Sequence, residues 1–250
     1  MGIGLLASDF AQWRPGMKAS PFRYFKTSPE VIRLAVMMDV RFPLPLRNVE
    51  DLLHERGIDI SRETVRVWWN RFGPIFAADI KRGRARALRP HTQLRWRVDE
   101  MYVKINGEIH YLWRAVDHEG EVLEAFVSKR RDRRAALKFL RNAMKHFGEP
   151  RVIVTDGLKS YGAALRELGR WDRQETGRWR NNRVENSHQP LRRRERAMQR
   201  FRRRKTLERF VSVHSSVFNH FNKDRHLNHR DTFKASRATA LAEWRQLCAA

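Results

Sequence analysis

The chain has 250 residues, 41% of them hydrophobic, enough to bury a sizeable core in one large or two small domains, so it is a folded protein and not a solvated tail. Against 28 acids stand 52 lysines and arginines, a net charge of +24, which points to a polyanionic partner and to nucleic acid first. The single cysteine, Cys248, excludes a disulfide framework and any zinc site built on two or more cysteines, and no apolar stretch approaches membrane-spanning length, so a cytoplasmic protein with no membrane partner is expected.

Residues 1–16 show no clear periodicity and no basic leader, which makes Met17 a candidate start. Ser28-Pro29-Glu30 opens a first helix, with a serine cap and proline at the first helical position. Val31, Ile32, Leu34, Ala35, Val36 and Met38 cover most of its circumference, so it should be well buried, and Asp39 stands out as an acid in that apolar run. After Pro43 and Pro45 a second helix runs from about Leu46 to Arg56 and closes on Gly57. Ser61 opens a third, with Val65, Trp68, Trp69, Phe72 and Phe76 at helical spacing and Arg62, Arg66 and Asn70 facing outward. Helix, short turn and helix with a basic outer face is the helix-turn-helix arrangement, so Arg62, Arg66 and Asn70 are candidate DNA contacts; a plain three-helix packing unit with solvated arginines fits the same pattern. Lys81 to Arg86 reads as a basic connector.

From Leu94 the period changes to that of strands. Three extended runs, Leu94 to Ile105, Glu108 to Asp117 and Glu121 to Lys129, are joined by Asn106-Gly107 and by a turn at Glu119-Gly120, which makes an antiparallel meander. An amphipathic helix from Arg133 to Phe147 follows, then a β-branched run, Val152-Ile153-Val154-Thr155, ending on Asp156, then a helix from Ser160 to Leu168. Residues 170–180 leave a short fifth strand, around Asp172 to Thr176, or a loop equally open. Pro190 should kink or restart a helix between Asn181 and Phe201, and a last amphipathic helix spans Leu207 to Phe221. This order predicts a ribonuclease-H-like α/β fold, a mixed sheet flanked by helices, preceded by an all-α helix-turn-helix domain. The expected division is 1–88 for the N-terminal region, 89–222 for the catalytic domain and 223–250 for a C-terminal tail.

In that fold the first strand lies beside the fourth, which would bring Asp99 and Asp156 together. With Glu185 they form a candidate catalytic and metal-binding triad for Mg2+ or Mn2+, because phosphodiester chemistry uses hard cations held by carboxylates. Each acid has a plainer reading: a strand-end aspartate is often a turn residue, and Asn182 with Glu185 has the spacing of a capping box. Glu100 and Asp117 compete with Asp99, and Glu195 and Glu175 are alternatives to Glu185. His214, His220, His226 and His229 could suggest a metal cluster, but His214 and His220 lie near or in an apolar stripe, which speaks against metal binding. Arg192, Arg193 and Arg196 begin seven positions after Glu185 and are candidate grips on DNA phosphates.

Trp96 to Lys104 with His110 to Asp117, then Val154-Thr155-Asp156 before Ser160-Tyr161-Gly162, then Asn181 to His188, resemble the insertion-sequence transposases of the IS-six family. Asn48 to Leu53 and Trp68 to Gly73 extend the resemblance over nearly the whole chain from about Ala19. It places the family's acid triad on Asp99, Asp156 and Glu185 and its basic residue on Arg192. It implies a DNA transposase acting on terminal inverted repeats and target DNA, as a homo-oligomer, with cleavage followed by strand transfer. The alternatives are a non-catalytic DNA-binding protein, such as a self-repressor or an inactive copy, and a simple nuclease. The chain departs from the family pattern in three places: Glu185 lies only 29 positions after Asp156, Met101 takes a place usually held by threonine, and Asp39 sits in an apolar helix.

Overall fold

The computed structural model describes residues 20–42, 44–88, 95–118, 120–177, 182–197, 201–221 and 229–248, and among these all side chains except those of 84–88, 182–183, 185–186 and 197. Met17 and His226 therefore lie outside the described residues.

Five strands form one sheet: β1 (Arg95–Ile105), β2 (Glu108–Val116), β3 (Val122–Ser128), β4 (Val152–Thr155) and β5 (Gln174–Thr176), in the order β3-β2-β1-β4-β5. The first three are antiparallel, and β4 and β5 run parallel to β1. This is the ribonuclease-H-like order. The β1–β2 turn is set by Asn106 and Gly107, whose φ values of 50° and 85° are the left-handed pair that a two-residue hairpin needs. The open question at residues 170–180 resolves into a 3₁₀ turn, Trp171–Arg173, leading into β5.

One face of the sheet is covered by α4 (Arg133–Phe147) and α5 (Lys159–Glu167). Trp96, Val98, Trp113, Phe139, Leu140, Ile153 and Tyr161 make a core there, with the Trp113 ring edge-on to Tyr161 at 5.4 Å. The other face carries α6 (Asn182–Ala197), packed on β1 and β2, and α7 (Arg204–Phe221), packed on β3. Onto α7 pack α1 (Pro29–Arg41), α3 (Arg62–Leu88) and α8 (Arg230–Gln246), and α2 (Leu46–His54) lies against α1 and α3. The helices and this face share one continuous core, in which Ile32, Val36, Trp68, Phe72 and Phe76 join Met101, Val103, Ile105, Phe210 and Val213. Met101, the departure from the family pattern, is thus a core side chain.

Three expectations change. The basic run at Lys81 to Arg86 is no connector but the end of α3, which continues to Leu88 through strong helix formers and over Pro74. Pro190 does not interrupt α6. It removes the bond to the Asn186 carbonyl, but anchors on both sides hold the helix: Arg114 of β2 donates to the Ser187 carbonyl, and Arg194 pairs with Asp39 of α1. The region read as a C-terminal tail holds α8, docked through buried Trp244, whose indole N–H donates to the Arg33 carbonyl at 3.1 Å, while Arg33 Nε donates to the Leu247 carbonyl at 2.8 Å. No helix among the described residues is long and apolar enough to cross a membrane.

Candidate active site

The parallel register of β1 and β4 pairs Arg97 with Val154. Two residues further on lie Asp99 and Asp156, side by side at the carboxyl end of β4. One carboxylate oxygen from each of Asp99, Glu100 and Asp156 lies within 4.8 Å of the other two, and among the described residues this is the one group of three or more acid, histidine or cysteine ligands close enough to hold an ion. All three offer oxygen donors, which suit hard divalent cations. Asp156 also does what a turn aspartate does, since its Oδ1 accepts the Leu158 N–H at 3.0 Å. The next residue, Gly157, sits at φ 89°, a conformation that a side chain would strain, so the chain turns away and leaves the acid at the strand end.

Strand alternation sends Asp99 and Glu100 to opposite faces of β1. Asp99 faces α6, with His188 Nδ1 3.6 Å from its Oδ2. Arg114, fully buried, sits opposite Asp99 in the β1–β2 register and holds α6 over it through the Ser187 carbonyl. Burial, and then the charges of Arg114 and Arg192, push the His188 pKa down to about 3, so the ring is neutral at physiological pH. Glu100 faces α4 and α5. It accepts from Tyr161 Oη at 2.8 Å and from Arg131 Nε at 2.6 Å. Burial raises its pKa against the pull of Tyr161 and Arg131, and the Asp156 charge adds the smallest upward push.

Position 185 lies one helical turn before His188 on α6; the Glu185 side chain is outside the described ones. One turn after His188, Arg192 donates to the Tyr102 carbonyl at 2.7 Å and to Glu195 Oε2 at 3.0 Å, and its guanidinium lies 4.9 Å from the centre of the exposed Tyr102 ring. Arg193 and Arg196 are exposed. Arg194 instead points inward to Asp39, which explains the acid in α1. The other candidate acids are engaged elsewhere: Asp117 Oδ1 accepts the Glu121 N–H in the β2–β3 turn, Glu175 faces Arg95 on the sheet, and Glu195 pairs with Arg192. His214 stacks on Phe218 and packs at a tilt against Phe210, His220 packs against Phe221 and Trp244, and His229 precedes α8.

In the N-terminal helices, Gly57 turns the chain at φ 71° after α2, and Ser61 Oγ accepts the Thr64 N–H at the start of α3. Glu50 of α2 accepts the Arg62 N–H at 3.1 Å, which fixes the two helices together. Arg62, Arg66 and Asn70 are all exposed on α3. Arg66 pairs with Glu63, and the Asn70 amide donates to the Arg66 carbonyl and accepts from Arg209 of α7 at 3.2 Å.

Two functional candidates went unseen in the sequence. His188 had a signal in its position three residues after Glu185. Arg131 had none, because it lies in a loop without period.

Residues 93–224 match the DDE domain family. The transposase for the insertion sequence-like element IS431mec of Staphylococcus aureus is 32% identical over 175 residues, 68% of this chain and 76% of that one. The transposase of insertion sequence element IS257 in transposon Tn4003, also from Staphylococcus aureus, is 31% identical over 175 residues with the same coverage. Among solved structures, the HTLV-2 integrase catalytic core domain in complex with magnesium, in its trimeric form, is similar at 13% identity and a TM-score of 0.38 over 53% of this chain and 87% of that one.

Proposed function

The chain belongs to the DDE transposases of the IS-six family of insertion sequences, and from that premise we propose that it binds the terminal inverted repeats of its own element, exposes a 3′ hydroxyl and joins it to target DNA. The observation that carries this reading is the meeting of the Asp99, Glu100 and Asp156 carboxyl groups, all within 4.8 Å, at the end of a parallel strand pair. Asp99, Asp156 and Glu185 are the residues that would hold Mg2+ or Mn2+. When bound, such ions supply charge stabilisation at the scissile phosphate and activate the attacking oxygen.

The protein's part is positioning. Arg114 and His188 fix the helix and the carboxylate on the Asp99 side, and α6 carries Glu185 along the same strand. Arg192, Arg193 and Arg196 continue that helix as a row of phosphate contacts, with Arg192 braced on Tyr102. Arg62, Arg66 and Asn70 would meet the element ends from α3, where the Asn70 amide exchanges its internal partners for DNA. Joining two ends to one target calls for a homo-oligomer, working in a reducing cytoplasm.

The test is to incubate the protein with labelled element-end DNA and Mg2+ beside an Asp99→Ala variant. Cleavage and joining by the parent alone supports a transposase. Cleavage without joining would make it a nuclease, and binding without any metal-dependent nicking would make it a repressor. Glu185→Gln should abolish cleavage and spare end binding; parental rates in that variant would show that the third acid is another residue.

A further inference from the structure

Arg131 stands at the carboxylate group without being one of its acids. Its backbone is anchored on both sides: Ser128 Oγ donates to the Arg130 carbonyl at 2.6 Å, and the Asp132 side chain caps α4 by accepting the Ala135 N–H at 2.9 Å. Ser128 is itself fixed by the Trp113 indole N–H at 2.7 Å. The side chain leaves this braced loop and reaches the acids in two unequal contacts. To Glu100, whose side chain is 2% exposed, it is hydrogen-bonded through Nε at 2.6 Å. To Asp156 Oδ2 it only comes within 3.8 Å, beyond hydrogen-bond length, and 42% of the Arg131 side chain is open to solvent.

This inequality suggests a division of labour. The Glu100 contact is a tether on a buried carboxylate side chain, held from behind by the Tyr161 hydroxyl. The Asp156 contact is loose and exposed, the kind of ion pair that exchanges at little cost. We propose that Arg131 is the cation the acid site carries before metal arrives, and that when a metal ion takes Asp156 the guanidinium, still tethered to Glu100, turns its remaining donors to a phosphate oxygen of the bound DNA. A guanidinium has five N–H donors in a planar fork, so it can keep Glu100 and still grip a phosphate. In this scheme Glu100 and Tyr161 are positioning residues that act through Arg131.

The inference rests on the reading that Asp99 and Asp156 bind metal, and it predicts effects of opposite sign that a structural role would not produce. Mn2+ binding to the protein without DNA is measured by calorimetry, and element-end binding is measured in Ca2+ across a salt series. Replacing Arg131 by Gln removes a competitor for Asp156 and a positive charge beside the ion, so Mn2+ should bind more tightly, by about tenfold. The same variant should bind DNA more weakly, with a salt dependence shallower by about one phosphate contact. Because Arg131→Gln leaves Glu100 buried without its cationic partner, the double variant Arg131→Gln with Glu100→Gln is measured beside it; it should show the same loss of DNA binding and, with the Glu100 charge also gone, a smaller gain in Mn2+ affinity. Asp156→Asn serves as the control and should lose Mn2+ uptake. If that control behaves as expected while both Arg131 variants bind Mn2+ and DNA like the parent, or lose both together, the inference is overturned alone. If the parent takes up no Mn2+, the metal-site reading falls and this inference with it.

Discussion

Two arginines of this chain each face an aspartate from another element, and they differ in almost everything else. Arg194 is 3% exposed and Asp39 is 4% exposed; the guanidinium also donates to the carbonyls of Phe42 and Leu44, so α6 is clasped to the end of α1 where no water competes. Arg131 is held by one acid and only approaches a second across solvent. Burial decides the difference. A pair sealed from water is a fixed joint whose rupture leaves a stranded charge, whereas an open pair can trade its partner for a metal or a phosphate.

The comparison is tested most severely by Asp39→Ala. Stranding Arg194 in the core should cost roughly 3–5 kcal/mol of stability, read from chemical unfolding. Replacing both partners with apolar residues of similar size should restore most of it, and a single variant as stable as the parent would show that the clasp carries no weight. The same burial should next be visible at His214, whose pKa is pushed down to about 3 by burial first and then by the charges of Arg114 and Arg194. The unfolded chain takes up that proton near 6.5 and the folded chain does not, so the stability is complete above about pH 6.5 and is lost as pH falls toward 3. At about pH 5 the loss should be roughly 2 kcal/mol, and His214→Phe should flatten the fall by that amount; an unchanged pH profile would mean that the ring is not buried neutral.

The open arginines should behave in the other way. Among the described residues Arg66 pairs with Glu63 one turn away, so Arg66→Ala should leave unfolding unchanged yet weaken element-end binding by about 1 kcal/mol or somewhat more if it reads a base. Equal loss on unrelated DNA would reduce it to a phosphate contact. Smallest of all should be Glu149→Gln at the surface pairs with Arg170 and Arg173, where no shift in the unfolding midpoint is expected. A clear shift there would break the rule drawn from Arg194 and Arg131.

What could be read from the sequence follows the same division between local and distant causes. The hairpin at Asn106-Gly107, the cap at Ser28 and Asp156 at the end of β4 are written in neighbouring residues, and turn chemistry and alternation suffice to find them, whereas Asp99 is no strand-end acid but lies inside β1, which runs on to Ile105. Pro190 misleads because its local signal is real, but α6 is kept continuous by Asp39, more than a hundred residues earlier in the chain, and by Arg114 on a strand. Lys81 to Leu88 misleads because its charge suggests a link, while its Arg, Ala and Leu content favours helix. Arg131 is illegible for another reason: its role comes from a loop braced by Ser128 and Asp132, and no periodicity marks where such a side chain will reach.

The shared core of the N-terminal helices and the sheet limits how this protein can be recombined. Trp68, Phe72 and Phe76 of α3 belong to the same apolar body as Met101, Val103 and Ile105 of β1. A chimera joined between Leu88 and Arg95, carrying the helices of another element in front of this sheet, would therefore mate two half-cores that had never been fitted to one another. New end specificity is more readily gained by changing the exposed face of α3 in place than by exchanging the module, and diversification of such elements should leave the seam intact while the outward residues vary.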